Sequence, residues 1–132
     1  YQALKNGEIT VFGGDQTRPN IHIKDMANIY LHFITNKSID SGCYNAGFEN
    51  LKISEIAEMI SKKTGAKITY TASNDPRSYR QDSSKILSTG FIPKYNVEKA
   101  IEEVSLAYKN KELNEGEHCY TVKWMKHLQL NN

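Results

Sequence analysis

Glycine and proline cut this sequence into short pieces, and that constrains its fold more than any other feature. Breakers fall at Asn6-Gly7, Gly13-Gly14, Gly65, Asp75-Pro76 and Gly90 to Pro93. A glycine just past a helical stretch ends it, and a proline disfavours helix in the residue before it. Gln2 to Lys5 reads as helix, stopped by Asn6-Gly7. Ile9 to Phe12 reads as a strand, with Ile9 and Val11 pointing one way and Thr10 and Phe12 the other. Gly13 to Asn20 reads as loop and Ile21 to Ile23 as a second strand. Asp25 then stands where an acid favours a helix N-terminus.

The helix expected from about Met26 to Thr35 is apolar nearly all round, the pattern of a helix buried inside a domain or under a second one. Short extended pieces are expected at Cys43–Asn45 and Leu51–Ile53. Ser54 is the expected cap of the next helix, whose stripe is Ile53, Ile56, Ala57 and Ile60, stopped by Gly65. Ile68 to Thr71 alternates like a strand. Ser83 or Ser84 caps a short helix, and Asn96 caps a long one with Ala100, Ile101, Val104, Ala107 and Tyr108 on one face. Helices and short strands mix without regular alternation. The fold class expected is therefore α+β, a small layer rather than a complete doubly wound sheet.

With 132 residues, a single domain is the natural expectation. A net charge of +2 with no basic stripe gives no case for nucleic acid. No apolar run approaches the ~18–20 residues of a membrane span. Cys43 and Cys119 have no paired spacing, which suits a reduced, cytoplasmic setting better than a disulfide framework. The opening Tyr1-Gln2-Ala3-Leu4-Lys5 lacks an initiator Met and reads like the last turns of a helix already under way. The expectation is that Tyr1 is not the native start.

Two stretches are dense in chemistry. In GGDQTRPNIHIKD, Gly13-Gly14 is either a tight turn or part of a phosphate-gripping loop. It is not the G-x-G-x-x-G dinucleotide fingerprint, since loop and strand follow it rather than a helix. Arg18 beside it carries a guanidinium that can fork onto a diphosphate. In DPRSYRQDSSKI, Arg77 and Arg80 bracket Tyr79 ahead of a helix N-terminus. That makes either an anion site with a ring to pack on a ribose or base, or a capped helix with solvated arginines. Y-x-x-x-K occurs at Tyr1/Lys5 and Tyr95/Lys99. Tyr1/Lys5 leads straight into Asn6-Gly7 and a strand, and Tyr95 precedes the expected cap at Asn96, so neither pair is read as catalytic. The histidines lack the companions of a metal site. His22 reads as a packing or hydrogen-bonding residue.

In order and spacing, GGDQTRPNIHIKDMANIY, SGCYNAGFENLKISEIAEMI and DPRSYRQDSSKILSTGFIPKYNVEKAIEEV resemble three successive blocks of the extended short-chain dehydrogenases/reductases, the NAD-dependent nucleotide-sugar epimerase/dehydratase family. The resemblance runs from Tyr1 to about Tyr108. It implies the small C-terminal substrate-binding lobe of a Rossmann-type enzyme over residues 1–111, then a tail over 112–132 that is possibly docked. The N-terminal half, with its NAD motif and catalytic Tyr-Lys pair, is absent. By the same resemblance, Arg18 contacts a substrate diphosphate, Thr10 and Phe12 line the nucleotide, and Tyr79 borders it. Ala72 stands where many relatives have an arginine, a charge Arg77 can supply, and Lys24 replaces a common acid.

The partners implied are a nucleotide diphosphate sugar and the protein's own Rossmann domain, in a homodimer for the full-length enzyme. NAD or NADP would be bound by the missing half, with none expected in this chain. The full enzyme would oxidise a sugar hydroxyl and later return the hydride. The alternative is a stand-alone regulatory or assembly module that has kept the lobe's shape and lost the chemistry.

Overall fold

A computed structural model describes residues 1–113 and 116–128. Each breaker does what its chemistry requires. Helix α1 (Gln2–Asn6) ends on Gly7 at φ 69°, and α3 (Ile53–Thr64) ends on Gly65 at φ 75°, the left-handed conformation that glycine adopts without strain. Strand β1 (Glu8–Phe12) pairs in parallel with β4 (Lys67–Thr71), Glu8 opposite Lys67 and Phe12 opposite Thr71. Strand β2 (Thr17–Asn20) pairs antiparallel with β3 (Glu49–Lys52), Thr17 opposite Lys52. Helices α2 (Ile23–Thr35), α4 (Ser84–Leu87) and α5 (Val97–Lys109) follow in chain order. A 3₁₀ turn (Glu117–Cys119) and α6 (Thr121–His127) form the tail. The architecture is α+β, as the sequence leads one to expect. Among the described residues no helix is long and apolar enough to cross a membrane.

Several local expectations are corrected. Thr17–Asn20 is strand rather than loop, although it contains Pro19. A two-stranded sheet has only edge strands, where a residue with no N–H is tolerated. Ile21–Ile23 is not a strand, because His22 is the cap of α2. Its Nδ1 accepts from the Lys24 N–H at 3.1 Å, so the helix starts at Ile23 instead of Met26. The extended piece near Leu51 lies at Glu49–Lys52. Helix α3 begins one turn-step before the expected Ser54, with the Glu55 carboxylate accepting from the Lys52 N–H at 2.6 Å. Cys43–Asn45 forms no strand. Among the described residues none lies alongside to complete a ladder, and the Cys43 carbonyl accepts instead from Lys85 Nζ at 3.0 Å. Asn96 caps α5 as expected, accepting from the Lys99 N–H at 2.8 Å.

The main core cluster gathers Ile29 of α2, the fully buried Ile86 of α4 and Phe91, with Phe33, Tyr44 and Phe48 against them. Helix α2 is covered on one side only. Asp25 and Ile29 are buried, whereas Ile23 is 75% exposed, Ile34 69%, and Tyr30 and Leu31 are also open. Gly47 is fixed by crowding: a β-carbon there would lie 2.6 Å from Pro19 Cβ and 2.4 Å from Gln81 Oε1. That approach, with Gly47 N–H donating to Ser83 Oγ at 3.0 Å, ties β2 to the segment ahead of α4. Ser83 holds the N-cap position of α4, as expected, but its hydroxyl is occupied by Gly47, and the Asp82 carboxylate accepts from the Ser84 N–H at 2.9 Å instead.

Candidate functional site

The segment from Asp75 to Tyr79 has no regular structure and is laid along the start of β2. The Thr17 N–H donates to Ser78 Oγ at 3.0 Å, and the Tyr79 N–H donates to the Thr17 carbonyl at 3.2 Å. This brings Arg18 among residues nearly sixty positions away in sequence. Its Nη1 donates to the Thr17 carbonyl at 3.0 Å and to the Arg77 carbonyl. Its Nη2 reaches Asp75 Oδ2 at 3.4 Å, and its guanidinium carbon lies 5.1 Å from the Tyr79 ring centre. Arg77 forks onto the same carboxylate, Nε to Oδ1 at 2.7 Å and Nη2 to Oδ2 at 2.8 Å. Two guanidinium groups thus share one acid beneath an exposed aromatic ring.

Asp75 is held well below the usual carboxylate range, at about 2, first by the Arg77 side-chain hydrogen bonds and then by the Arg77 N–H. A lowered pKa favours the folded chain above the ordinary carboxylate value near ~4, and that contribution fades as pH falls towards 2. In Arg77→Gln, the Asp75 carboxyl is expected to titrate closer to the ordinary range. Side-chain carbonyl NMR through an acid titration reads this directly, and an unmoved midpoint would refute the cause given.

The glycine pair resolves as a turn. The Gly13 N–H donates to the Thr71 carbonyl at 2.8 Å, and the Gly14 N–H to Gln16 Oε1 at 2.8 Å. Both amides are committed inside the chain, and a strand follows them, so the pair does not fit a dinucleotide pyrophosphate. Gln16 Nε2 donates to the Phe12 carbonyl at 3.3 Å and reaches the Asp75 carbonyl at 3.5 Å, which links the end of β1 to the arginine cluster.

Of the residues singled out in sequence, Arg18, Arg77 and Tyr79 come together. Thr10 and Phe12 share the exposed face of β1, opposite buried Val11, and the Phe12 carbonyl is linked to Asp75 through the Gln16 side chain. Arg80 is exposed. Lys24 belongs to a separate group: its Nζ lies 2.7 Å from Glu103 Oε1 and 5.3 Å from the Tyr95 ring centre, and that hydrogen bond to Glu103 raises its pKa. Buried His22 stacks on Tyr95 at 4.7 Å, with Nε2 3.4 Å from Glu103.

Sequence reading missed Asp75 as a site residue and treated Asp75-Pro76 only as a breaker. The signal was an acid two positions before an arginine, the spacing of an Asx turn, and the Arg77 N–H does donate to Asp75 Oδ1 at 3.1 Å. The larger concavities lie elsewhere. One of about 690 Å³ lies between Met26, Tyr30, Phe33, Asp40, Tyr44 and Gln81, and another of about 580 Å³ is bordered by Tyr1, Lys5, Leu113 and Tyr120. The arginine cluster is an open surface suited to an extended, charged ligand.

No family model matches the chain. Solved structures do. A protein named DdhaC is 29% identical, with a TM-score of 0.64 over 82% of this chain and 34% of its own. UDP-N-acetylglucosamine 4-epimerase from Bacillus cereus is 26% identical, with a TM-score of 0.62 over 80% of this chain and 37% of its own. L-threonine dehydrogenase from Clostridium difficile is 21% identical, with a TM-score of 0.67 over 83% and 39%. The matched structures include two determined with NADPH. The chain spans between 34% and 39% of the length of the three proteins named. In fold and in the order of its motifs, this chain resembles a part of the extended short-chain dehydrogenases/reductases, the family of epimerase-like, NAD(P)-dependent enzymes.

Proposed function

We propose that this chain is the substrate-binding part of a cytoplasmic, NAD(P)-dependent nucleotide-sugar epimerase or dehydratase, and that it does not catalyse alone. The observation that carries this reading is the convergence of Arg18, Arg77 and Tyr79 on one exposed patch. The Arg77 fork and the Arg18 Nη2 suit the oxygens of a diphosphate, and an adjoining ring suits a ribose or base. The likeness to a UDP-N-acetylglucosamine epimerase agrees with that ligand class. Thr10 and Phe12, on the neighbouring exposed face of β1, would flank the nucleotide. Binding energy gained here, away from the reacting sugar, would orient the sugar for chemistry performed elsewhere.

In this reading the nicotinamide cofactor is held by the remainder of the fold, since Gly13-Gly14 does not fit it, and its role is hydride transfer. The exposed apolar side of α2, with Tyr30, Leu31 and Ile34, would pack against that remainder.

Arg18→Ala is expected to weaken UDP binding roughly tenfold or more, and Arg18→Lys less, because lysine keeps the charge but loses the planar group anchored on the Thr17 and Arg77 carbonyls. Isothermal calorimetry on the protein and both variants reads this. Unchanged affinity in Arg18→Ala would sink the assignment. A protein that binds no nucleoside diphosphate at all would favour the alternative, a non-catalytic regulatory or assembly module.

A further inference from the structure

We propose that Asp75 is a built-in stand-in for the ligand's phosphates: its carboxylate occupies the donors of Arg18 and Arg77, and a diphosphate binds by displacing it. This deepens the function proposed above and rests on that reading of Arg18. The geometry supports displacement over a fixed partnership. A carboxylate and a phosphate present the same paired oxygens to a guanidinium fork. Arg77 gives Asp75 its Nε–Nη2 edge at 2.7 and 2.8 Å, the edge a phosphate would take. Arg18 contributes only one long contact to Asp75, at 3.4 Å. Its other nitrogen is anchored on the carbonyls of Thr17 and Arg77. Arg18 therefore stays in place when the carboxylate leaves.

The part that must move is the Asp75 side chain alone, which gives up the Arg77 N–H along with the two guanidinium groups. Asp75 lies between β4 and α4 in a stretch without regular structure. Its side chain is 31% exposed and that of Arg77 76%. An exposed ion pair of this kind contributes little to stability, so its role is better sought in what it excludes. With one acid between two guanidinium groups, a weakly charged anion gains little by entering. A diphosphate, with more charge and more oxygens, can replace the carboxylate on both at once. Asp75 thereby sets a threshold that discriminates by ligand charge.

The test uses inorganic pyrophosphate, titrated calorimetrically into the protein and into Asp75→Asn, Asp75→Glu, Asp75→Ala and Arg18→Ala. Asparagine keeps an oxygen for the Arg77 N–H and so preserves the local turn, while removing the charge. Asp75→Asn is expected to bind pyrophosphate roughly five- to tenfold more tightly at low ionic strength, with the gain shrinking at about 0.5 M salt. Asp75→Glu should show no such gain. Asp75→Ala, which removes the oxygen as well, should still bind more tightly than the unaltered protein, and thermal melts establish that each variant is folded. Equal or weaker binding by folded Asp75→Asn overturns the proposal and makes Asp75 a positioner of the arginines. If Arg18→Ala weakens binding while Asp75→Asn changes nothing, only the stand-in role falls. If no variant differs and the unaltered protein does not bind pyrophosphate, the reading of Arg18 falls with it.

Discussion

Asp25→Ala is expected to destabilise the protein by about 3 kcal/mol or more, lowering its melting temperature by on the order of 10 °C. Asp25 is fully buried, yet it is not an isolated charge. Its carboxylate accepts from the Lys94 N–H through both oxygens at 3.1 Å and from the Tyr95 N–H at 2.9 Å. It also sits in the first turn of α2, where the exposed amides of the helix end favour negative charge. One side chain thus fastens the N-terminus of α2 to the backbone entering α5. Alanine would leave two N–H groups without an acceptor and remove the charge at the helix start. Asparagine should recover part of the loss, since one oxygen can still accept. Urea denaturation monitored by circular dichroism would measure both, and an alanine variant within 1 kcal/mol of the unaltered protein would contradict the assignment.

The second large effect is expected at Ile86. Ile86→Ala should cost about 2–5 kcal/mol, and Ile86→Val about 1 kcal/mol. Ile86 has no exposed surface and stands between Ile29 of α2 and Phe91. Helix α4 has only four residues, too short to persist through its own hydrogen bonds. Its place is set by this one side chain in the core and by Ser83 on Gly47. Loss of Ile86 packing should therefore release the segment ahead of it, including the residues around Asp75. Pyrophosphate affinity measured on Ile86→Val, which stays folded, should fall by less than in Arg18→Ala. A larger fall would show that α4 matters to the site beyond its packing.

Much of the fold was legible because its punctuation is chemical. Gly7, Gly65 and Asn96 act through backbone conformation or a local cap, and the elements they bound were found within a residue or two. The misplacements share a cause. Strand β2 exists because β3 lies beside it, and the expected strand at Cys43–Asn45 is missing because none of the described residues pairs with it. His22 as a helix cap was unreadable because imidazole is an uncommon acceptor in that role. At the site, Arg18, Arg77 and Tyr79 were legible from residue type and motif order. Asp75 was not, because its importance comes from facing a residue 57 positions away.

That separation has a consequence for how the site comes into being. Apart from the adjacent Thr17, the partners of Arg18 lie nearly sixty positions along the chain, so meeting them closes a long loop. Contacts of such long range cost loop-closure entropy that only the folded chain recovers. An anion that needs both arginines should then have no affinity for the unfolded chain. It would raise the melting temperature in proportion to the logarithm of its concentration. The arginine cluster is in that sense a gauge of completed folding: a ligand that grips it counts only molecules in which Arg18 has already met the segment from Asp75 to Tyr79.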